Sequence, residues 1–147
     1  MVEQAVALNP NLAVAWLCRG FVALMCCEPE RAVESFDRMI RLSPLDHLRI
    51  WAWTGSSFAH FHLGRYEDGC ALAMKSLQFA TDAHVLAAYI MNTTRAGRTA
   101  EAQQAVAQLL KLQPGFRASH AQEIFPTRLP EEMHRITSAL RDAGLPD

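Results

Sequence analysis

Pro10 and Pro44 stand 34 residues apart, and Trp16, Gly20, Ala32 and Phe36 lie between them at the spacing of two helices folded back on each other. A recurrence on this scale constrains the fold more than any single residue. A two-helix unit cannot bury its apolar face alone and has to stack on copies of itself. Gly20 and Ala32 are small, so two helix backbones can approach closely where they cross. Trp16 and Phe36 fill the space beside that crossing. Pro44 ends the unit, because it lacks an amide proton and its ring collides with the preceding turn of a helix.

The copies are imperfect. Pro114 lies 70 residues beyond Pro44, two periods of 34 plus two, and Gly64-Arg65-Tyr66 and Gly97-Arg98-Thr99 are 33 apart. Each glycine triplet opens a second helix. Ser43-Pro44-Leu45-Asp46 stops the first unit, and a three-residue insertion delays the next. In the second unit, about Ile50 to Thr81, Trp53 takes the aromatic place and Gly69 the small one. In the third, about Ala83 to Pro114, Leu86 replaces the aromatic while Ala102, Val106 and Pro114 keep the spacing. Gly97 breaks the chain there and Thr99 is expected to cap the new helix.

Beyond Pro114-Gly115, Phe116 to Phe125 reads as a short helix ended by Pro126. A last helix has Pro130 in its first turn, with Glu131 and Glu132 suited to the N-terminal dipole. Leu129, Met133, Ile136, Leu140 and Ala143 fall on one stripe of it, and Gly144 and Pro146 close it. A half-polar terminal helix of this kind caps an exposed core. At the other end, Glu3 to Leu8 followed by Asn9-Pro10 resembles the last turns of a second helix without its partner. That predicts either the tail of a longer protein or a self-associating one. The expected organisation is one domain: the end of a truncated repeat over 1–10, repeats over 13–46, 47–81 and 82–115, and a C-terminal cap over 116–147.

Composition narrows the function classes. The chain has 147 residues, enough for one real core, and a formal net charge of -1. No basic face is visible for phosphate, so neither nucleic acid nor an anionic membrane is an expected partner. No stretch approaches the roughly 20 apolar residues that span a bilayer. The start lacks the basic and apolar regions of an export signal, so a cytoplasmic protein is expected. Cys18, Cys26, Cys27 and Cys70 form no C-x-x-C pair and read as reduced, buried fillers.

The first unit matches the pattern W-x2-L-G-x2-Y, A-x3-F, P at Trp16, Gly20, Ala32, Phe36 and Pro44, and departs from it at Arg19 and Ala23. The chain therefore resembles tetratricopeptide-repeat proteins. The resemblance implies an all-α, right-handed superhelical solenoid of about three helix-turn-helix repeats with C-terminal capping helices. A narrower one rests on Leu42-Ser43-Pro44-Leu45-Asp46, Ala59-His60-Phe61 before Gly64-Arg65-Tyr66, Leu112-Gln113-Pro114-Gly115-Phe116, and Leu140-Arg141-Asp142-Ala143-Gly144-Leu145-Pro146. These are similar to the C-terminal repeat region of bacterial proteins headed by a class III adenylate or guanylate cyclase or a winged-helix regulator. That implies a regulatory, protein-binding part of a larger signalling protein. No cyclase domain is present in this chain, so no cyclase activity follows.

On the repeat frame the first helices line a groove. Val14, Leu17, Phe21, Leu24 and Met25 come from the first unit. Trp51, Thr54, Phe58, Phe61 and His62 come from the second, and His84, Ala87, Met91, Thr94 and Arg95 from the third. The groove is apolar and aromatic, with a basic edge at Arg95. It lacks the lysines and asparagines by which similar repeats grip acidic chaperone tails. Two readings stand: a groove for a protein or peptide partner, or an apolar stripe covered by the C-terminal helices or by a second copy of the chain.

No enzyme, metal or cofactor is expected. His60 and His62 are about 200° apart around a helix and cannot share a metal from one face. His120 and Glu123 could meet at helical spacing but have no evident third ligand. No H-E-x-x-H, glycine-rich phosphate loop or G-x-S-x-G occurs. Ser56-Ser57 falls inside a helix, poor placement for a nucleophile.

Overall fold

In the computed structural model, which describes residues 1–125 and 127–147, the chain is all helical, with no strand among the described residues. After a short α1 (Val2–Leu8) come α2 (Ala13–Met25) and α3 (Pro29–Leu42), α4 (Arg49–His62) and α5 (Tyr66–Leu77), then α6 (Ala83–Arg95) and α7 (Thr99–Leu112). A 3-10 turn at Ala118–His120 leads into one turn of helix, α8 (Ala121–Ile124), and α9 (Pro130–Asp142) ends the chain. Consecutive helices pack on each other from α1 through α7. Contacts of α2 with α4 and of α4 with α6 align these three in a row, and α9 lies against α6. No helix among the described residues is long and apolar enough to cross a membrane.

Three equivalent turns produce this order. At the end of α2 the Cys27 amide donates to the Leu24 carbonyl and the Glu28 amide to Ala23. Gly64 and Arg65 repeat the pair onto Phe61 and His60, and Gly97 and Arg98 onto Thr94 and Thr93. Each is a Schellman closure, which requires a left-handed residue after the helix. Gly64 (φ 72°) and Gly97 (φ 78°) supply it without strain, whereas the first turn uses Cys27 at φ 57°. Glu28, Arg65 and Arg98 then serve as N-caps of the next helix without a side-chain bond. The expected cap at Thr99 is thus corrected to Arg98: the Schellman turn consumes three residues, so Thr99 is already the first helical position.

The small residues act as the spacing suggested. Phe36 is fully buried, and a Cβ on Gly20 or Gly55 would come within 2.4 Å of its ring atoms. Phe21 meets the same ring edge-on at 5.2 Å. Gly69 makes equivalent room for Asn92, whose amide is fully buried and donates to the Ser57 carbonyl, the Ser57 hydroxyl and the Ala88 carbonyl at 3.0–3.2 Å. Ser57 in turn donates to the Gly69 carbonyl at 2.8 Å. A polar knot therefore holds the α4–α5–α6 crossing where Phe36 holds the first. Leu86, in the aromatic place of the third unit, is fully buried as well.

Arg19, which departs from the repeat pattern, ties the first elements together. It donates to the Ser35 hydroxyl at 2.9 Å, pairs with Glu3 of α1 at 3.2 Å, and stacks its guanidinium 5.2 Å from the Trp16 ring centre. The Trp16 indole donates to the Pro10 carbonyl at 2.8 Å. Leu12 and Val14 remain about two-fifths exposed. The cysteines depart from expectation: Cys18 and Cys26 are exposed and Cys27 is half-buried, because Cys18 sits on the outer stripe of α2 and the other two in its closing turn. Only Cys70 is a buried filler, its thiol pushed up to about 11, chiefly by burial.

Candidate functional site

Along the row of α2, α4 and α6 runs one apolar cleft of about 130 Å³. Phe21, Leu24 and Met25 of α2 form one wall, and Trp51, Thr54, Phe58 and His62 of α4 its floor. His84 of α6, Ile124 and Phe125 at the end of α8, Thr127, and Ile136 of α9 close it. Its volume is close to the roughly 150 Å³ of an apolar cavity that accepts a benzene ring. The space therefore suits one aromatic or branched aliphatic side chain rather than a whole peptide.

Its polar atoms are largely engaged. The Thr54 hydroxyl donates to the Ile50 carbonyl at 2.8 Å. His84 stands edge-on between Trp51 (5.6 Å) and Phe125 (6.0 Å). His62 Nδ1 bonds the Glu132 carboxylate of α9. Arg135 completes that cluster, reaching Glu132 at 3.0 Å with its guanidinium 5.4 Å from the Phe61 ring centre. Burial drives the His62 pKa below its ordinary value despite the adjacent carboxylate. Burial also opposes the Glu132 charge, but the hydrogen bonds from His62 and Arg135 outweigh it and leave that pKa lowered. At neutral pH, then, a neutral imidazole donates to an ionised carboxylate.

Of the anticipated groove residues, Phe21, Leu24, Met25, Trp51, Thr54, Phe58, His62 and His84 meet in this cleft. Leu17 lies beneath it, buried with Phe36 and Met39. Phe61 and Met91 are not groove residues; both are fully buried. Phe61 turns about 100° away from His62 around α4, toward Tyr66 of α5, and Met91 belongs to the cluster that joins α6 to α9. Arg95 offers no open basic edge, because it is paired with Asp142 at 2.8 Å and bonds the Ser138 hydroxyl at 3.1 Å.

Sequence reasoning missed the contributions of Ile124, Phe125, Thr127 and Ile136 as named residues, although it held open a C-terminal cover. The available signal was the apolar pair Ile124-Phe125 in an otherwise polar stretch. The anticipated helix from Phe116 to Phe125 is reduced to a 3-10 turn and a single α-turn, and the expected end at Pro126 lies outside the described residues. Leu129 is half exposed, so the buried stripe of α9 begins at Met133. His60 bonds the Ser56 carbonyl and His120 accepts the Arg117 amide, each at 2.8–3.0 Å. Among the described residues no three histidine, cysteine or acidic side chains are placed to share a metal. No protein-family model matches the chain, so the reading of this cleft rests on its geometry.

Proposed function

We propose that the chain is a protein-interaction module of tetratricopeptide type, its three helix pairs winding as a right-handed superhelix under a C-terminal cap. It serves as the regulatory part of a larger signalling protein, such as a nucleotide cyclase, and is not itself the catalyst. The observation that carries this reading is the cleft: apolar, aromatic-walled, sized for one side chain, and rimmed by the two-fifths-exposed Met25 and Trp51. Burying an apolar anchor in a desolvated pocket is how a small contact yields most of a binding energy. The test is calorimetric titration of the full chain with peptides selected against it by display. Trp51→Ala should cut affinity at least tenfold without altering helicity; unchanged affinity would move the surface elsewhere. Phe58→Ser or Phe61→Ser would not serve, since these side chains are 4% and 0% exposed and their loss attacks the core.

A second reading is a self-associating solenoid without a peptide ligand. Val14, Cys18, Val22 and Met25 favour it, forming one exposed stripe along α2. Sedimentation equilibrium separates the two: a dimer dispersed by Val22→Glu supports self-association, and a monomer at all concentrations removes it.

A further inference from the structure

One wall of the cleft is built from the chain's own C-terminal segment. Phe125 lies with its ring centre 3.7 Å from that of Phe58 and meets His84 edge-on, and Ile124 lines the same space. Beyond them the chain reaches the closing turn of α2. There the Arg128 amide donates to the Met25 carbonyl at 3.2 Å, and Thr127 Oγ1 lies 2.9 Å from Cys27 Sγ. An aliphatic–aromatic pair is thus seated across α4 and α6, and a two-bond latch joins the segment to α2 one hundred residues away in sequence.

These contacts are few for a permanent element. Ile124 and Phe125 stay half-buried, and α8 is four residues long. By contrast, α9 buries Met133, Ile136 and Leu140 and is held by the His62–Glu132–Arg135 cluster and by Arg95–Asp142. A further sign comes from Cys27. It holds the left-handed position that glycine fills in the other two turns, and its side chain is the one that meets Thr127. Backbone strain kept where a neighbouring turn avoids it points to a task for the side chain.

We propose that Ile124, Phe125 and Thr127 act as an internal ligand of the cleft. The external partner is a linear segment carrying an adjacent aliphatic–aromatic pair, which takes the place of Ile124-Phe125 once the latch to Cys27 and Met25 opens. The inference rests on the proposed groove and adds two things: the chemistry of its occupant and a self-inhibited resting state. An occupied site binds an outside ligand more weakly by the fraction of molecules in which it is open. A tenfold weakening means that the internal segment fills the cleft in about nine molecules of ten.

The experiment titrates a synthetic peptide spanning 119–130 into the full chain, the Phe125→Ala variant and the Thr127→Val variant, with helicity checked by circular dichroism. The same peptide with alanine at both positions of its pair is the control. The expected result is binding to Phe125→Ala at least tenfold tighter than to wild type, a smaller gain for Thr127→Val, and no binding of the control. Should Phe125→Ala fail to fold, the Thr127→Val gain decides. If display-selected peptides bind wild type through Trp51 while neither variant gains affinity for the 119–130 peptide, self-inhibition is overturned and the groove stands. If no form binds any peptide, both fall.

Discussion

Two elements cover the same row of helices, and they do so by different physics. The α9 helix presents Met133, Ile136 and Leu140 on one face, so each added turn buries another side chain, and the His62–Glu132 hydrogen bond at one end and the Arg95–Asp142 ion pair at the other fix its register. The segment from Ile124 to Thr127 contributes one aromatic ring, one aliphatic side chain and a latch of two hydrogen bonds. Periodic burial makes a cap, whereas a single inserted ring makes a contact that competes with other rings for the same space. The difference assigns the two halves of the C-terminal region to separate roles, stability for α9 and occupancy for the segment before it.

The contrast is sharpest in stability. Leu140 is fully buried between α9 and the α6 layer. Leu140→Ala should cost about 3 kcal/mol, the usual loss for a leucine truncated in a close-packed core. Phe125→Ala should cost less, about 2 kcal/mol, from half the burial of one ring plus its contacts with Phe58 and His84. Urea denaturation of both variants checks the ordering, and a larger loss at Phe125 would break the comparison. Native-state hydrogen exchange sharpens it: the Phe125 and Arg128 amides should exchange well before those of Ile136 and Leu140.

Acid should act on the cap through its polar pins. His62 is faced by Glu132 and Arg135 of α9, with Tyr66 near Arg135 and His84 across the cleft. Its folded pKa lies below the ordinary 6.5, so below that pH the unfolded chain binds more protons than the folded one, and stability falls as pH falls. Glu132, also lowered, adds a loss of the same sign below the ordinary 4.5 as pH drops through its folded pKa. Thermal unfolding at steps from pH 8 to pH 4 should show a decline beginning near 6.5. His62→Gln should abolish its upper part and leave the lower, and an unchanged profile in that variant would remove His62 as the cause.

How much of this was legible in the sequence follows from where the forces are local. The paired helices and their turns were readable because Gly64 and Gly97 answer a backbone demand, and because Gly20, Phe36 and Gly69 answer a packing demand at fixed spacing. Eight of the residues anticipated for a groove line the cleft for the same reason, as positions along helices of known period. Phe61 was misplaced against that same period, since it lies about 100° from His62 around α4 and faces Tyr66. Met91 and Arg95, by contrast, were misplaced because their surroundings are set by α9, whose docking depends on contacts across 40 or more residues, such as Arg95 with Asp142 and Ser138. Glu132 looked like a dipole-favoured surface acid, and only the fold brings His62 to it. Periodicity reports which face a residue occupies on its own helix and carries no record of what later chain is laid on that face.

The smallest expected effect tests the latch itself. Cys27 carries a left-handed backbone that costs a non-glycine residue on the order of 1–2 kcal/mol, and Cys27→Gly removes that strain. Against the gain stand the extra freedom of glycine in the unfolded chain, about 0.4–1 kcal/mol, and the loss of the contact to Thr127. Net stability should therefore move by less than about 1 kcal/mol, too little to confuse with core damage. Exchange at the Arg128 amide should nevertheless quicken, because the neighbouring half of the latch is gone. Thr127→Val removes the same contact while leaving φ at residue 27 untouched, so it should quicken that amide equally and lower stability slightly. If Cys27→Gly changes stability but not Arg128 exchange, the thiol only fills its turn, and the segment is held by Phe125 and the Arg128–Met25 bond.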